Sequence, residues 1–129
     1  MACRALCIGV SRHEAVRPDL PGAEHDAEDV AALLARHGFI TTVLKSPSGE
    51  DAHDALEALV AACGDSDRVV VLLSGHGCMH ENDNYLLPAD FGAPKAHSGV
   101  LKDTARCAIA VHGDIVAPLQ RKNKLGLTV

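Results

Sequence analysis

Apolar positions change their period repeatedly between residues 4 and 74, and each change marks an element. Arg4 to Val10 (RALCIGV) is a short apolar run that opens into a polar, proline-containing segment reaching Gly22, the pattern of a buried strand followed by a long loop. From Ala23 the repeat is helical: Ala23, Ala27, Val30, Ala31 and Leu34 share one face, and Gly38 follows His37 where a C-terminal cap belongs. Phe39 to Lys45 (FITTVLK) is β-branched and predicts a second strand, broken by Ser46, Pro47 and Gly49. Ser48 stands three residues before Asp51 as a variant capping box, and Ala52, Ala55, Leu56, Leu59, Val60 and Cys63 form one stripe ending at Gly64. Arg68 to Ser74 (RVVVLLS) is continuous and aliphatic, as a strand covered on both faces should be.

Strand, helix, strand, helix, strand is the order of a parallel sheet covered by helices, and right-handed crossovers restrict it to a few doubly wound forms. Beyond Gly75 the pattern loosens into a polar segment, a short Tyr85 to Pro88 run and a Gly- and Pro-containing loop to about Arg106. Ala108 to Leu119 is apolar, but Pro118 argues against one long regular helix there. Leu125 to Val129 (LGLTV) reads as the first half of a fourth strand. The expected class is therefore α/β: a mostly parallel sheet with helices on both faces, cut off before its C-terminal strands.

Composition narrows the picture. The 129 residues suit one domain, 1–129, and with one Tyr, two Phe and no Trp the core must be aliphatic and rich in alanine. A formal charge of -5 makes nucleic acid and anionic membrane surfaces poor partners. No apolar run approaches the roughly 18 residues needed to span a bilayer. The five cysteines lack scaffold spacing and Met1 to Val10 is too short for a secretory signal, so a reducing, cytoplasmic setting is expected. Cys3 and Cys7 share one face of the first strand by parity and Cys63 lies on the helix stripe, so all three are expected to be buried hydrophobes.

In open parallel sheets ligands bind outside the carboxyl ends of the strands, and Ser74, Gly75, His76 and Gly77 occupy that place after the third strand. Glycines on either side leave the ring of His76 accessible and let the Gly77 N–H face a substrate oxygen, which suits a general base beside an oxyanion donor. The plain alternative is a histidine in a surface turn. A metal reading competes as well, because His76, Cys78 and His80 alternate and Asp83 follows; zinc sites draw their ligands from two separated pairs, so no metal and no other cofactor is expected.

The stretches ALCIGV, LPGAEHDAEDVAALLARHGF, RVVVLLSGHG and NYLLPADF together resemble the catalytic domain of caspase-like cysteine proteases, nearest the metacaspase and paracaspase branches. The resemblance covers about Ala5 to Phe91. It implies a caspase-like three-layer sandwich with strand order 2-1-3-4, and a Cys-His endopeptidase with His76 as catalytic histidine and Gly77 N–H as an oxyanion-hole donor. ENDNYLLPAD is similar to the shorter, calcium-independent relatives. By the same resemblance Asp26 falls where metacaspases and paracaspases place an S1 carboxylate, implying protein or peptide substrates with Arg or Lys at P1. Read from the residues alone, Asp26 is a first-turn helix acid favoured by the dipole.

A caspase-type nucleophile lies roughly 50 residues after its histidine, which points to about position 126, at the end of the neighbouring strand. No cysteine follows Cys107. The chain is thus expected to stop short of its nucleophile and to need the missing C-terminal half of the domain. Cys107, in a polar loop 31 residues from His76, is a poor substitute. Two readings of different class remain open: the base-bearing part of a cysteine endopeptidase, and a catalytically inactive caspase-like interaction module.

Overall fold

The computed structural model describes residues 1–92 and 108–122. The three aliphatic runs form the parallel strands β1 (Cys3–Gly9), β2 (Ile40–Lys45) and β3 (Arg68–Ser74), joined by helices α1 (Pro21–Arg36) and α2 (Gly49–Ala62). Their order is β2-β1-β3, with Ala5 opposite both Thr41 and Val70. This agrees with the first three places of the expected 2-1-3-4. Leu125 to Val129, the expected fourth strand, and Cys107 lie outside the described residues.

The central strand is paired on both sides and covered on both faces, so its residues from Ala5 onward are buried. Side chains alternate between two helix layers, as the period of a strand requires. Cys7 meets Ala27 and Ala31 of α1, with Val30, Leu34 and Leu72 around them. Leu6, Ile8 and Val10 point the other way, into a larger core with Ala52 and Leu56 of α2 and with Ile109, Ile115 and Leu119. The alanine-rich face lets α1 lie close: a Cβ at Gly9 would run into the Ala23 carbonyl. Cys63 is buried at the C-cap of α2, whereas Cys3, expected to be buried like Cys7, is half-exposed because it begins its strand at the sheet's open end.

Two local predictions meet different outcomes. The Ser48 side chain accepts a hydrogen bond from the Asp51 N–H (3.1 Å), as the capping pattern requires. Helix α1 instead begins at Pro21, two residues before the predicted Ala23, because proline is suited to a first helical position. Leu20, the cap, offers no side-chain acceptor; Ser11 of the β1–α1 loop supplies one, its Oγ accepting from the Glu24 N–H at 2.9 Å.

The polar segment after Gly75 is an antiparallel hairpin, β4 (Gly77–His80) and β5 (Asp83–Leu86). Its two-residue turn holds Glu81 and Asn82 at φ of 47° and 65°. Strand β6 (Ile109–Ala110) adds to β5, followed by one π-helical turn (Val111–Val116) and the short helix α3 (Ala117–Arg121). Pro118 stands at the start of α3, so the apolar stretch is split as predicted. No described helix is long and apolar enough to cross a membrane.

Candidate active site

The carboxyl ends of β1 and β3 are stapled together by the Val10 N–H, which donates to the Ser74 carbonyl at 2.8 Å. Beyond that staple the chain turns at Gly75, where a φ of +154° and the neighbours Val10 and Leu86, each 3.2 Å from a hypothetical Cβ, would make any side chain strained and crowded. His76 follows at once, half-buried, between the parallel sheet and the hairpin. The hairpin is anchored here too, since the Leu87 N–H donates to the His76 carbonyl at 2.9 Å. Gly77 opens β4 and is exposed, with the Tyr85 carbonyl only 3.0 Å from where its Cβ would stand.

One atom orients the imidazole. His76 Nε2 lies 2.6 Å from the Pro18 carbonyl oxygen. A carbonyl can only accept, so Nε2 must carry the hydrogen, and in the neutral ring the bare nitrogen is then Nδ1. That is the form a general base needs: one nitrogen fixed as donor, the other left to take a proton. Pro18 belongs to the β1–α1 loop, which is itself tied down. Ser46, in a left-handed conformation (φ 45°), uses its Oγ to accept from the N–H groups of Ser11 and Arg12, both at 3.1 Å. Leu20 N–H donates back to the Ser11 carbonyl at 2.9 Å, and Arg17 to the His13 carbonyl at 2.6 Å.

Asp26 comes to the same end of the sheet from α1. Because the helix starts at Pro21, Asp26 lies in its second turn, and the first-turn acid is Glu24. The dipole explanation for Asp26 therefore weakens. Its Oδ2 accepts a hydrogen bond from Ser74 Oγ at 3.1 Å while the residue stays exposed, so a carboxylate is held at the rim by the residue two before His76. Glu24 turns elsewhere, 3.6 Å from Arg12. A fixed, accessible carboxylate can pair with a cationic side chain, best with the planar fork of Arg.

Three contributions to this arrangement leave no local trace in the sequence. Ser74 was legible as a strand end but carried no sign of serving Asp26. Pro18 acts through its backbone, and every residue has a carbonyl. His13 packs its ring edge-on to His76, centroids 5.1 Å apart at 63°. The metal reading finds no support from assembly: among the described residues no three His, Cys, Asp or Glu gather around one point. Asp83 instead accepts from the N–H groups of His112 and Gly113 at 3.0 and 3.1 Å, and His80 approaches Glu81 at 3.7 Å.

None of the described cysteines has the placing of a nucleophile. Cys3 and Cys63 lie at the amino end of the sheet, opposite His76. Cys7 is buried in the central strand, and burial pushes its thiol up, away from the reactive thiolate. Cys78 is exposed on the hairpin, opposite Tyr85.

Residues 2–126 match the peptidase family model described as the caspase domain. No curated protein sequence matches the chain.

Proposed function

The chain belongs to the caspase-domain family of cysteine peptidases, whose substrates are proteins, and from that premise we propose that it supplies the base and the substrate pocket of a metacaspase-like or paracaspase-like endopeptidase cleaving after Arg or Lys. The observation that carries this reading is His76 with Nε2 committed to the Pro18 carbonyl and Nδ1 left bare. Nδ1 takes the proton of a cysteine thiol; the thiolate attacks the scissile carbonyl carbon, and the resulting oxyanion meets the Gly77 N–H. The imidazolium returns its proton to the leaving amine, a thioester remains, and water hydrolyses it with His76 again as base. Asp26, steadied by Ser74, receives the P1 guanidinium or ammonium group.

The thiol of this scheme comes from a strand lying against β3, which among the described residues is paired only with β1. In that position a cysteine at the strand's carboxyl end would stand beside His76. The 129-residue chain alone, in this reading, holds and orients but does not cleave. Fluorogenic Arg, Lys and Asp peptides test it directly: no turnover by the chain alone is expected, and turnover abolished by Cys107→Ala or Cys78→Ala would relocate the nucleophile.

In a chain complemented with that thiol, Asp26→Asn keeps size and removes charge. An Arg peptide should then lose a charge-assisted contact of about 1.5 to 3 kcal/mol, roughly tenfold to a hundredfold in kcat/KM, with the melting temperature unchanged. An unchanged Arg preference would remove Asp26 from the pocket. The second reading, an interaction module without catalysis, draws on the absence of a well-placed thiol among the described cysteines. It predicts retained binding of Arg peptides with no turnover even after complementation.

A further inference from the structure

His13 is a costly choice for its position. The residue is 5 % exposed, yet neither ring nitrogen has a partner of good hydrogen-bond geometry, the Leu87 backbone acting on the ring only as a poorly aligned acceptor. A buried polar ring so poorly partnered destabilises, and an apolar side chain of similar size would not, so the imidazole calls for an explanation beyond filling space. Its backbone is clamped on three sides: its N–H donates to Asp19 Oδ1 at 3.3 Å, its carbonyl accepts from Arg17 Nη1 at 2.6 Å, and the next N–H, of Glu14, donates to Ala89 at 2.8 Å. The clamps fix where the ring sits, and its ring neighbour is His76 at 5.1 Å.

His76 needs such a neighbour. It follows Gly75 and is half-exposed, and a half turn about Cβ–Cγ would exchange Nδ1 with a ring carbon and pull Nε2 off the Pro18 carbonyl. The Pro18 bond opposes that rotation at one corner of the ring; a fixed aromatic edge beside the ring opposes it sterically. We propose that His13 is a positioning residue for His76: its buried ring is the wall that keeps the His76 imidazole turned with Nε2 on the Pro18 carbonyl and Nδ1 free for the reacting thiol. The proposal rests on the peptidase reading for its purpose, but its geometry stands on the loop alone.

A wall made of histidine is sensitive to acid. Burial disfavours the charged ring most and the neighbouring His76 adds to that, while the Leu87 backbone and Asp19 favour the proton and Arg17 opposes it; the balance lies below the ordinary value. His13 is therefore neutral at neutral pH. Forcing a proton onto it places a cation in a buried site beside a second imidazole, and the 11–20 loop must open to hydrate it. Protonated His76, by contrast, still donates to Pro18, so loop opening reports His13 and not its neighbour.

The test uses the 129-residue chain without substrate. Nitrogen chemical shifts of the ring atoms report the His76 tautomer in wild type, His13→Phe and His13→Ala at pH 8. Wild type and His13→Phe, which keeps an aromatic edge, should show a protonated Nε2 and a bare Nδ1; His13→Ala should show both nitrogens moved toward the average of two tautomers. Wild-type shifts in His13→Ala, or averaged shifts in a folded His13→Phe, overturn the proposal. Should His13→Ala not fold, hydrogen exchange at the Leu20 amide decides. Corrected for intrinsic rates, wild-type protection should fall by up to about tenfold per pH unit as the buried ring is forced to charge below about pH 6.5, while His13→Phe holds. Equal protection in both overturns it. Neither readout involves peptide cleavage, so a failure here and a failure of the peptidase reading remain distinct results.

Discussion

The two sheets that meet at His76 are built on opposite terms. In β1 the side chains of Leu6 and Ile8 are 1 % exposed or less, held between two helix layers by strands on either side. In β4 all four residues are exposed, and Met79 keeps 75 % of its surface. The first sheet can fix a side chain in space but encloses it; the second leaves side chains accessible but fixes them weakly. His76 stands at the junction, receiving its position from β3 and the β1–α1 loop and its access from the hairpin. That division also explains why the candidate site gathers at strand ends and loops rather than within either sheet.

The largest effect should come from the same operation applied to both. Ile8→Ala empties a fully buried place in the larger core and should cost about 2 to 5 kcal/mol, since the central strand is poorly placed to collapse around a cavity. Met79→Ala should change stability by less than about 0.5 kcal/mol. Urea unfolding of both variants measures the ratio. Comparable losses would mean that the hairpin is packed in solution and that the contrast between the sheets is false.

The contrast also governs what could be read in advance. Parallel strands covered on both faces write themselves as unbroken aliphatic runs, so RALCIGV, FITTVLK and RVVVLLS located β1 to β3 within one or two residues. The Ser48 cap was legible because its acceptor and donor lie three residues apart in the chain. The hairpin was not, because four-residue exposed strands carry little hydrophobic alternation and only one member of its turn, Asn82, tolerates a left-handed conformation easily. His76 could be named from its place after a buried strand between two glycines, and Asp26 only through the family resemblance. Ser74 as a donor to Asp26, Pro18 as acceptor and His13 as neighbour could not, because each depends on which loop lies over which strand end, and long-range proximity leaves no local trace.

A middle-sized effect tests how the second sheet is held. Asp83 begins β5, and its two carboxylate oxygens receive the His112 and Gly113 N–H groups, tying the hairpin to the π-helical turn. Desolvation pushes this carboxyl up, but the backbone donors of His112, Gly113 and Asn84, helped by the His112 charge, outweigh it and hold it below its usual value. Asp83→Asn keeps one acceptor of two and should cost about 1 kcal/mol, concentrated in β4 and β5. Hydrogen exchange should show lost protection there and unchanged protection in β1; a loss spread evenly over both sheets would show that they unfold as one unit.

The smallest effect is confined to acid and belongs to the parallel sheet. Asp67 closes the turn before β3: its carboxylate accepts from the Gly64 N–H at 2.8 Å and the Ala2 N–H at 2.9 Å, with Arg4 Nε at 3.4 Å. Those donors, Gly64 first and then Ala2, hold its carboxyl down to about 2, against the model-peptide value of 3.8. Because the folded form resists protonation more than the unfolded chain, the contribution of Asp67 is fully present above about pH 4 and fades as the pH falls toward 2, where the folded carboxylate is itself protonated. Asp67→Asn removes the titration. The difference in melting temperature between wild type and variant should therefore be constant from pH 7 to about 5 and shrink steadily between about 4 and 2. A difference that stays constant down to pH 2 would mean that the Gly64 and Ala2 donors do not reach the carboxylate in solution, and that the root of β3, unlike its buried centre, is as loosely held as the hairpin.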